Sequence, residues 1–218
     1  AEFLFPKKVL KEKKYYLLKN GIDINKYTFN PQTRNLYREK YNFTNKFVVG
    51  HIGRFVYQKN HEFLIDIFNE LQKRNPNAVL LLIGIGELYE QIKDKVNKLG
   101  IKDKVIFWGT TEDVPNLMQA MDCFVLPSRF EGLGMVAVEA QAAGLPTICS
   151  DAIPKEAEVS DCIVKLSLNR SAVSWAEEIT RFTYITKRHN TGNEIRACGY
   201  DIIDTVKNLE NIYKSNVK

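Results

Sequence analysis

Short apolar runs alternate with segments of helical apolar spacing between about residues 46 and 165. Phe47–Ile52 is almost entirely apolar, which is typical of a strand that is buried on both faces. The segment that follows carries apolar residues every three or four positions from Leu64 to Leu71, which is the spacing of one helix face. The same alternation continues along the chain. It predicts about six strands, at residues 47–52, 78–83, 105–108, 123–126, 146–149 and 162–164.

Glycines mark the ends of two of the predicted helices. Gly100 and Gly144 each follow an apolar helical segment. Glycine is common just after the last helical residue, because that position often adopts a positive φ. A shorter helix is predicted around residues 112–120, with Thr111 as its N-cap and acidic residues in its first turn.

The alternation of strands and helices predicts the fold class. Strands that are apolar throughout belong to a parallel sheet covered by helices on both faces. We therefore predict an α/β domain with a doubly wound, Rossmann-like parallel sheet, followed by two or three C-terminal helices from Ser171 onward. Ligands of such sheets bind beyond the carboxyl ends of the strands, near the point where the strand order reverses. Site residues are therefore expected in the loops that follow the strands.

Basic residues are concentrated at the start of the chain. The 218 residues include 31 Lys and Arg against 26 Asp and Glu, and residues 1–46 hold 11 of the basic and 4 of the acidic residues. Such a basic arm is typical of contact with nucleic acid or with an anionic membrane surface, but solvated surface helices and linkers have the same composition. No nucleic-acid-binding motif accompanies the arm, so a specific nucleic-acid partner is not expected.

The four cysteines do not have the spacing of a metal site. No two form a Cys-x-x-Cys pair, and no histidine lies near enough in sequence to complete one, so no metal is expected. Cys123 and Cys149 stand in apolar runs and are expected to be buried thiols, which suits a reducing cytoplasm. No uncharged apolar stretch is long enough to span a bilayer. His51 lies in an apolar strand and is expected to be a core residue.

The loop after the first strand carries two cations. Arg54 and Lys59 stand five residues apart just before a helix, and Gly53 opens the loop. An arginine fork, a lysine point charge and the free N–H groups of a helix N-terminus are groups that bind phosphate. The loop is therefore a candidate phosphate site, and two solvent-facing cations are the alternative.

The loop after the second strand resembles only the opening of a dinucleotide fingerprint. Gly84-Ile85-Gly86 has the first two glycines, but Tyr89 stands where the third would be, and the fingerprint belongs after the first strand. A dehydrogenase is therefore disfavoured. The two glycines suit either a tight turn or the close approach of a ligand to the backbone.

The loop after the fourth strand is the most specific feature of the sequence. Gly132 and Gly134 open the next helix, whose free N–H groups suit an anion or sugar oxygens. Glu131 stands in this loop, and Glu139 lies within an otherwise almost uniformly apolar helix. A carboxylate in such a helix is costly unless it has a partner. For each glutamate the partner is either a ligand hydroxyl or a Lys or Arg of the protein.

Together these loops resemble the retaining glycosyltransferases of family 4, which have the two-domain GT-B fold. Glu131 and Glu139, with seven residues between them, match the Glu-x7-Glu motif of that family. The resemblance covers about residues 15–165 and is to capsular and exopolysaccharide enzymes in particular. It also rests on Gly53-Arg54, Lys59-Asn60-His61, Val105–Gly109, Phe124–Ser128, Glu139–Pro146 and the linker-like tetrapeptide Asn20–Asp23.

The resemblance implies a role for each matching residue. Arg54 and Lys59 would hold the donor diphosphate and stabilise the departing nucleotide, and these two with Glu131 are the expected catalytic residues. Glu131 would accept hydrogen bonds from sugar hydroxyls, and Glu139 from ribose hydroxyls. The other expected donor-binding residues are Gly53, Gly84, Phe107, Trp108, Gly109, Gly132, Leu133 and Gly134, with residues 107–109 lining the base pocket.

The implied reaction is hexosyl transfer with retention at the anomeric carbon. The donor would be a nucleotide sugar, in first place a UDP-sugar, and the acceptor a glycan or lipid-linked glycan in polysaccharide biosynthesis. No metal or other cofactor is implied. Ile85 departs from the family, in which many members have an acidic residue between the two glycines. The alternative is a non-catalytic, nucleotide-binding or regulatory Rossmann-like module.

The resemblance also implies a domain organisation. Residues 1–45 are expected to be the end of an N-terminal domain and the interdomain linker, and residues 46–218 the nucleotide-sugar-binding domain with C-terminal helices. The chain has no initiator Met and would be a fragment that lacks the acceptor-binding domain. We therefore expect the isolated chain to transfer little or no sugar. A cytoplasmic location is expected, with the basic arm as a candidate contact to the inner membrane surface.

Overall fold

Six parallel strands form one sheet in the computed structural model, which describes residues 15–184 and 188–216. The strand order is β3-β2-β1-β4-β5-β6, so the order reverses between β1 and β4. This is the order of a doubly wound, Rossmann-like sheet, and the predicted fold class is confirmed. The strands are β1 Phe47–Ile52, β2 Ala78–Ile83, β3 Val105–Gly109, β4 Cys123–Leu126, β5 Thr147–Ser150 and β6 Ile163–Leu166.

The last two strands start one residue later than the sequence predicts. Pro146 has no N–H to donate to the sheet, and its carbonyl accepts from the Phe124 N–H at 2.8 Å. Thr147 is the first residue of this segment that donates, to the carbonyl of Cys162 at 2.8 Å. The ladder between β5 and β6 therefore begins at Thr147 and Ile163.

Nine α-helices lie in the described residues, and the three C-terminal ones match the prediction for the tail. Gly100 and Gly144 follow two of the helices at the predicted ends. None of the described helices is both long and apolar enough to cross a bilayer. The helices are α1 Ile24–Tyr27, α2 Pro31–Lys40, α3 His61–Arg74, α4 Tyr89–Lys98, α5 Val114–Ala120, α6 Met135–Ala142, α7 Ala172–Arg181, α8 Gly192–Ala197 and α9 Ile202–Asn216.

Helices cover both faces of the sheet. Successive strand residues point to opposite sides, so each strand contributes residues to both buried clusters. Val48 and Leu81 face one side and belong to a buried cluster with residues of α5, α6 and α8. Val49 and Leu80 face the other side and are buried with residues of α3, α4 and α7. Burial on both faces explains why the strands appear in the sequence as continuous apolar runs.

Helix α5 starts later than predicted, and Thr111 does not cap it. Asp113 is the N-cap residue, and the Thr111 hydroxyl accepts from the Asp113 N–H at 3.0 Å in the turn before the helix. Pro115 lies in the first turn, where its missing N–H costs no helical hydrogen bond. The expectation of acidic residues in the first turn is therefore wrong, since Glu112 and Asp113 precede the helix.

Two arginines of the basic arm hold α2 against the sheet. Arg34 pairs with Asp122 and donates to the carbonyl of Met121 at 2.6 Å. Arg38 pairs with the same carboxylate at 2.9 Å and donates to the carbonyl of Phe43 at 2.8 Å. These two cations are therefore structural. The five lysines before residue 15 lie outside the described residues, so membrane contact by the arm stays a prediction.

The described part of the predicted linker packs against the sheet domain. Ile22 and Ile24 are buried in the cluster that covers one sheet face. The N–H of Ile22 donates to the Tyr200 carbonyl at 2.8 Å, and its carbonyl accepts from the Ile202 N–H at 3.0 Å. The start of α9 therefore holds the linker, while the predicted domain boundary at residue 45 stays a prediction.

Candidate functional site

A cleft of about 590 Å³ lies at the carboxyl ends of β1 and β4, where the strand order reverses. This is the position at which doubly wound sheets bind ligands. The segments after β1, β3 and β4 each supply a charged side chain to its lining. Of the residues predicted from the sequence, Gly53, Lys59, Glu131, Gly134 and Glu139 line it.

Lys59 and Glu131 form an ion pair inside the cleft. The Lys59 Nζ lies 2.6 Å from Glu131 Oε1, and the Ser128 hydroxyl donates to the same oxygen at 2.7 Å. The Gln58 amide donates to Glu131 Oε2 at 3.0 Å. The Glu131 side chain is only 6% exposed, so these three groups replace its hydration. Of the two partners considered from the sequence, Glu131 therefore has a cation of the protein. That cation, Lys59, is itself a predicted site residue.

The backbone around Lys59 directs its side chain into the cleft. Lys59 ends a short 3-10 turn, and Asn60 follows in the left-handed conformation with φ of 57°. The Asn60 side chain donates to the Pro127 carbonyl at 3.1 Å and ties this turn to the loop after β4. A Cβ at Gly53 would lie 3.2 Å from the Lys59 stem. Gly53 therefore leaves room for the lysine that it precedes in the loop.

The N-terminus of α6 forms one wall of the cleft. Gly134 is its N-cap, with φ of 80°, and no side chain caps the helix. Met135 and Val136 line the cleft, and their N–H groups have no partner within the helix because they precede its first complete turn. These two N–H groups and the positive end of the helix favour an anion at this place. Gly132 is exposed, while Leu133 packs against the core.

Glu139 also lines the cleft, from the middle of α6. Its carboxylate meets the Tyr27 phenol, and in the described residues it forms no ion pair with a Lys or Arg. Burial raises the pKa of Glu139 above its usual value, and the Tyr27 hydrogen bond only partly opposes the rise. Burial and the facing carboxylate also raise the pKa of Tyr27. The Tyr27 phenol thus fills only part of the hydrogen-bonding capacity of this carboxylate, and ligand hydroxyls would supply further donors.

Two predicted residues beside the cleft do not line it. Arg54 is exposed, and none of the ion pairs in the described ranges includes it. Gly84, with φ of 140°, packs against Gly53, whose carbonyl oxygen would lie 2.1 Å from a Cβ at that position. The space left by this glycine is filled by the neighbouring loop rather than left for a ligand. Whether either residue contacts a donor stays a prediction.

The end of β3 also lies outside the cleft lining. Phe107 packs on one sheet face, with its ring centroid 5.2 Å from that of Tyr89. Trp108 packs on the other, with its ring centroid 4.7 Å from that of Tyr41. Gly109 has φ of 78° and accepts from the Gly84 N–H at 2.8 Å. The base pocket that we expected at these three residues stays a prediction.

The cleft includes residues that we did not single out from the sequence. Lys26 and Tyr27 reach it from α1, and Glu112, Val114 and Pro115 from the start of α5. Lys26 is a further cation there, with a side chain that is 70% exposed and lies 3.8 Å from the Asp23 carboxylate. The linker-like tetrapeptide Asn20–Asp23 directly precedes α1. It was the sequence feature from which a contribution of α1 to the cleft could have been predicted.

His51 is a core residue, as predicted. It is fully buried, and its Nδ1 lies 2.8 Å from the Val125 carbonyl. Burial lowers the pKa of His51 to about 4 and that of the adjacent His61 to about 2. Both rings are therefore neutral at physiological pH and take no part in the cleft.

Residues 33–182 match the sequence profile of a family described as Glycosyl transferases group 1. The chain is 34% identical over 217 residues to the putative glycosyltransferase EpsF of Bacillus subtilis, covering 98% of this chain and 56% of that protein. It is 30% identical over 156 residues to the UDP-Gal:alpha-D-GlcNAc-diphosphoundecaprenol alpha-1,3-galactosyltransferase of Escherichia coli, covering 70% of this chain and 39% of that protein. The chain thus spans roughly half or less of each relative.

The fold also matches solved structures. Anabaena Alr3699/HepE in complex with UDP-glucose superposes with a TM-score of 0.78 at 25% identity, covering 92% of this chain and 57% of that one. The predicted Rossmann-like half of a GT-B fold is therefore confirmed. Since the family profile matches more than half of the residues, the chain belongs to the glycosyl transferases group 1 family.

Proposed function

We propose that this chain is the donor-binding part of a retaining glycosyltransferase that uses a UDP-sugar. The observation that carries the proposal is the cleft at the strand-order reversal, where Lys59, Glu131, Glu139 and the N-terminus of α6 converge. Anabaena Alr3699/HepE, of similar fold, was solved with UDP-glucose, which supports a UDP-sugar as donor.

In the proposed reaction the bond between the anomeric carbon and the diphosphate oxygen breaks, and its electron pair stays on the diphosphate. The acceptor hydroxyl bonds to the anomeric carbon from the face that the diphosphate leaves, and its proton is released. Lys59 and the N–H groups of Met135 and Val136 stabilise the negative charge on the departing group. Removing one such preorganised group typically costs about 3 kcal/mol of transition-state stabilisation.

The two glutamates bind the two ends of the donor in this proposal. Glu139 accepts hydrogen bonds from the ribose hydroxyls, which replace the hydration that burial removed. Glu131 accepts from sugar hydroxyls once the diphosphate draws Lys59 away. Lys59 is paired with Glu131 at 2.6 Å, so a diphosphate that binds Lys59 competes with this pair. Arg54 is exposed on the same loop and is proposed to reach the diphosphate in the bound state.

Donor binding is proposed to need no metal ion. Lys59, Lys26 and the helix N-terminus supply positive charge where other glycosyltransferases use a cation. UDP affinity should then be the same with and without EDTA. The acceptor is proposed to be a glycan or lipid-linked glycan held by a part of the enzyme outside this chain. We also propose a cytoplasmic location, and we expect the isolated chain to transfer little sugar.

Calorimetric titration with UDP, UDP-glucose, UDP-N-acetylglucosamine, GDP-mannose and NAD tests the donor class. We expect UDP and at least one UDP-sugar to bind, and Lys59→Met to weaken UDP about 10- to 100-fold, since a hydrogen bond from a charged group contributes about 1.5–3 kcal/mol. Lys95→Met is the matched control, because Lys95 also pairs with a carboxylate, Asp66, at 2.6 Å but lies away from the cleft.

The double variant Lys59→Met/Glu131→Gln guards against misfolding, because it leaves no buried charge unpaired. Unchanged UDP affinity in this folded variant would contradict the proposed phosphate role of Lys59. Binding of NAD alone, or of a nucleotide with no preference for a sugar diphosphate, would favour the alternative of a regulatory nucleotide-binding module.

A further inference from the structure

Three side chains with different ligand atoms converge at the amino edge of the sheet, opposite the cleft. Asp161 and Cys162 directly precede β6, and His189 lies between α7 and α8. His189 Nε2 lies 3.1 Å from Asp161 Oδ1 and 3.9 Å from Cys162 Sγ. Cys162 Sγ lies 3.7 Å from Asp161 Oδ1. A carboxylate oxygen, a thiol sulfur and an imidazole nitrogen thus all lie within 3.9 Å of one another.

These separations fit a tetrahedral metal ion. Zinc binds sulfur at about 2.3 Å and nitrogen or oxygen at about 2.0–2.2 Å, so two of its ligand atoms lie about 3.3–3.6 Å apart. The three observed distances are within a few tenths of an ångström of this range. Cysteine, histidine and aspartate are also the ligand types that zinc takes in proteins.

The arrangement does not fit a nucleophilic triad. In such a triad the carboxylate holds one ring nitrogen of the histidine while the other nitrogen faces the nucleophile. Here Asp161 and Cys162 both approach the same nitrogen, Nε2 of His189. Convergence on a single point is what a shared cation requires.

The backbone that carries the three side chains is held in place on both sides. The Cys162 carbonyl accepts from the Thr147 N–H at 2.8 Å, at the start of the β5–β6 ladder. The His189 carbonyl packs on Gly144, where a Cβ would lie 2.3 Å away. Thr191 donates its hydroxyl to the Gln141 carbonyl at 2.6 Å. The backbone segments that carry Cys162 and His189 are therefore held close together, while the Asp161 and His189 side chains are 78% and 53% exposed.

The local charge favours a cation. The Asp161 carboxylate lies 3.7 Å from the Cys162 sulfur and 3.1 Å from His189 Nε2, so the group includes a formal negative charge. This charge attracts a metal ion to the point that the three ligand atoms face. A small cavity of about 190 Å³ adjoins the group and leaves room for a fourth ligand.

We propose that Asp161, Cys162 and His189 bind a zinc-type transition-metal ion, with water as the fourth ligand. Because the site lies at the amino edge of the sheet, it does not contact a donor in the cleft. It joins the segment before α8 to the start of β6. The bound ion therefore stabilises the packing of the C-terminal helices, and donor affinity does not depend on it.

Titration of the tag-free, reduced chain with Co²⁺ under anaerobic conditions tests the site. We expect one equivalent to bind and to produce the near-ultraviolet charge-transfer band of a cobalt–thiolate bond, which Zn²⁺ then removes by competition. Cys162→Ser should abolish the band, and His189→Gln, which removes a direct ligand, should weaken binding by more than the roughly tenfold that loss of an outer partner typically costs. Cys198→Ser is the matched control, because Cys198 is also partly buried but lies outside the group.

Thermal unfolding with Zn²⁺ provides a second measurement. Zn²⁺ should raise the Tm of the native chain and of Cys198→Ser, but not that of Cys162→Ser, and UDP affinity should be unchanged throughout. Absence of the thiolate band in the native chain, or its persistence in Cys162→Ser, would overturn the proposal. Either result would leave the donor-binding proposal unaffected, since that is measured with UDP.

Discussion

The two edges of the sheet use partly buried carboxylates in opposite ways. At the amino edge, Asp122 is paired with Arg34 and Arg38 and accepts from the Val48 N–H at 2.7 Å. At the carboxyl edge, Glu139 meets one phenol, that of Tyr27, and its pKa is raised by burial. Asp122 therefore has its hydrogen-bonding capacity filled by the protein, whereas Glu139 does not.

The cations differ between the edges in the same way. Arg34, Arg38 and Arg188 all donate to carbonyl groups at the C-terminal end of α5, where the helix dipole favours positive charge. Lys26 and Arg54 near the cleft are largely exposed. Asp122 and its arginines stabilise the fold, whereas Glu139 and Arg54 keep hydrogen-bonding capacity that a ligand can use. Perturbed groups in a cleft are therefore the better candidates for function than equally buried groups elsewhere.

The sharpest test of this contrast is Asp122→Ala. The substitution leaves two half-buried arginines without their carboxylate, so we expect the free energy of unfolding to fall by about 3–5 kcal/mol. Urea unfolding measures it, with equal slopes required for the comparison. Glu177→Ala is the control, since Glu177 pairs with Arg74 at 3.2 Å on the surface and should cost about 1 kcal/mol or less. Equal losses in the two variants would contradict a structural role for the amino edge.

Gly84→Ala tests how the loops behind the cleft are held together. Its Cβ would lie 2.1 Å from the Gly53 carbonyl oxygen, so the loop carrying Lys59 must move. We expect a loss of about 2–4 kcal/mol from overpacking and backbone strain, and weaker UDP binding. Gly100→Ala isolates the effect of positive φ, because no atom lies within 4 Å of its Cβ, and should cost only about 1 kcal/mol. If both variants lose the same stability, the loop contact is unimportant.

Glu139→Gln should have little effect on stability and a large effect on UDP binding, in contrast to the stability loss expected for Asp122→Ala. Ionised Glu139 is disfavoured by burial, so removing its charge should leave the free energy of unfolding within about 1 kcal/mol of the native value. UDP affinity should nevertheless fall about 10- to 100-fold, because the ribose loses a charged acceptor. A large loss of stability with unchanged UDP affinity would place Glu139 among the structural groups.

The pH dependence of UDP binding gives the smallest effect. The folded pKa of Glu139 is raised, so the protonated form contributes stability at low pH that is lost as the pH rises through the folded pKa. The ionised form is the one that accepts from ribose hydroxyls. UDP affinity should therefore fall as the pH is lowered through this raised pKa, at a higher pH than for an ordinary glutamate. Calorimetry at several pH values should show that Glu139→Gln lacks this dependence.

Most of the fold could be predicted from the chain, because strands buried on both faces appear as apolar runs. Five of the twelve site residues that we predicted line the cleft, since the loops after β1 and β4 meet at the order reversal. Local chemistry was less predictable. Thr111 looked like an N-cap, but the helix starts beyond Asp113 because Pro115 fits its first turn.

The sequence alone determined the alternation of strands and helices, the two-glutamate loop and the family to which they belong, since these depend on residue type and short spacing. Only the tertiary structure decided which groups meet. Lys59 contacts Glu131, which is 72 residues away in sequence. Arg34 contacts Asp122 at a separation of 88 residues, and Cys162 contacts His189 at a separation of 27. Charge partners are selected by the crossing of strands and loops in space, which periodicity does not encode. The folded chain, and not the sequence pattern, therefore decides whether the protein fills the hydrogen-bonding capacity of a carboxylate or leaves part of it for a ligand.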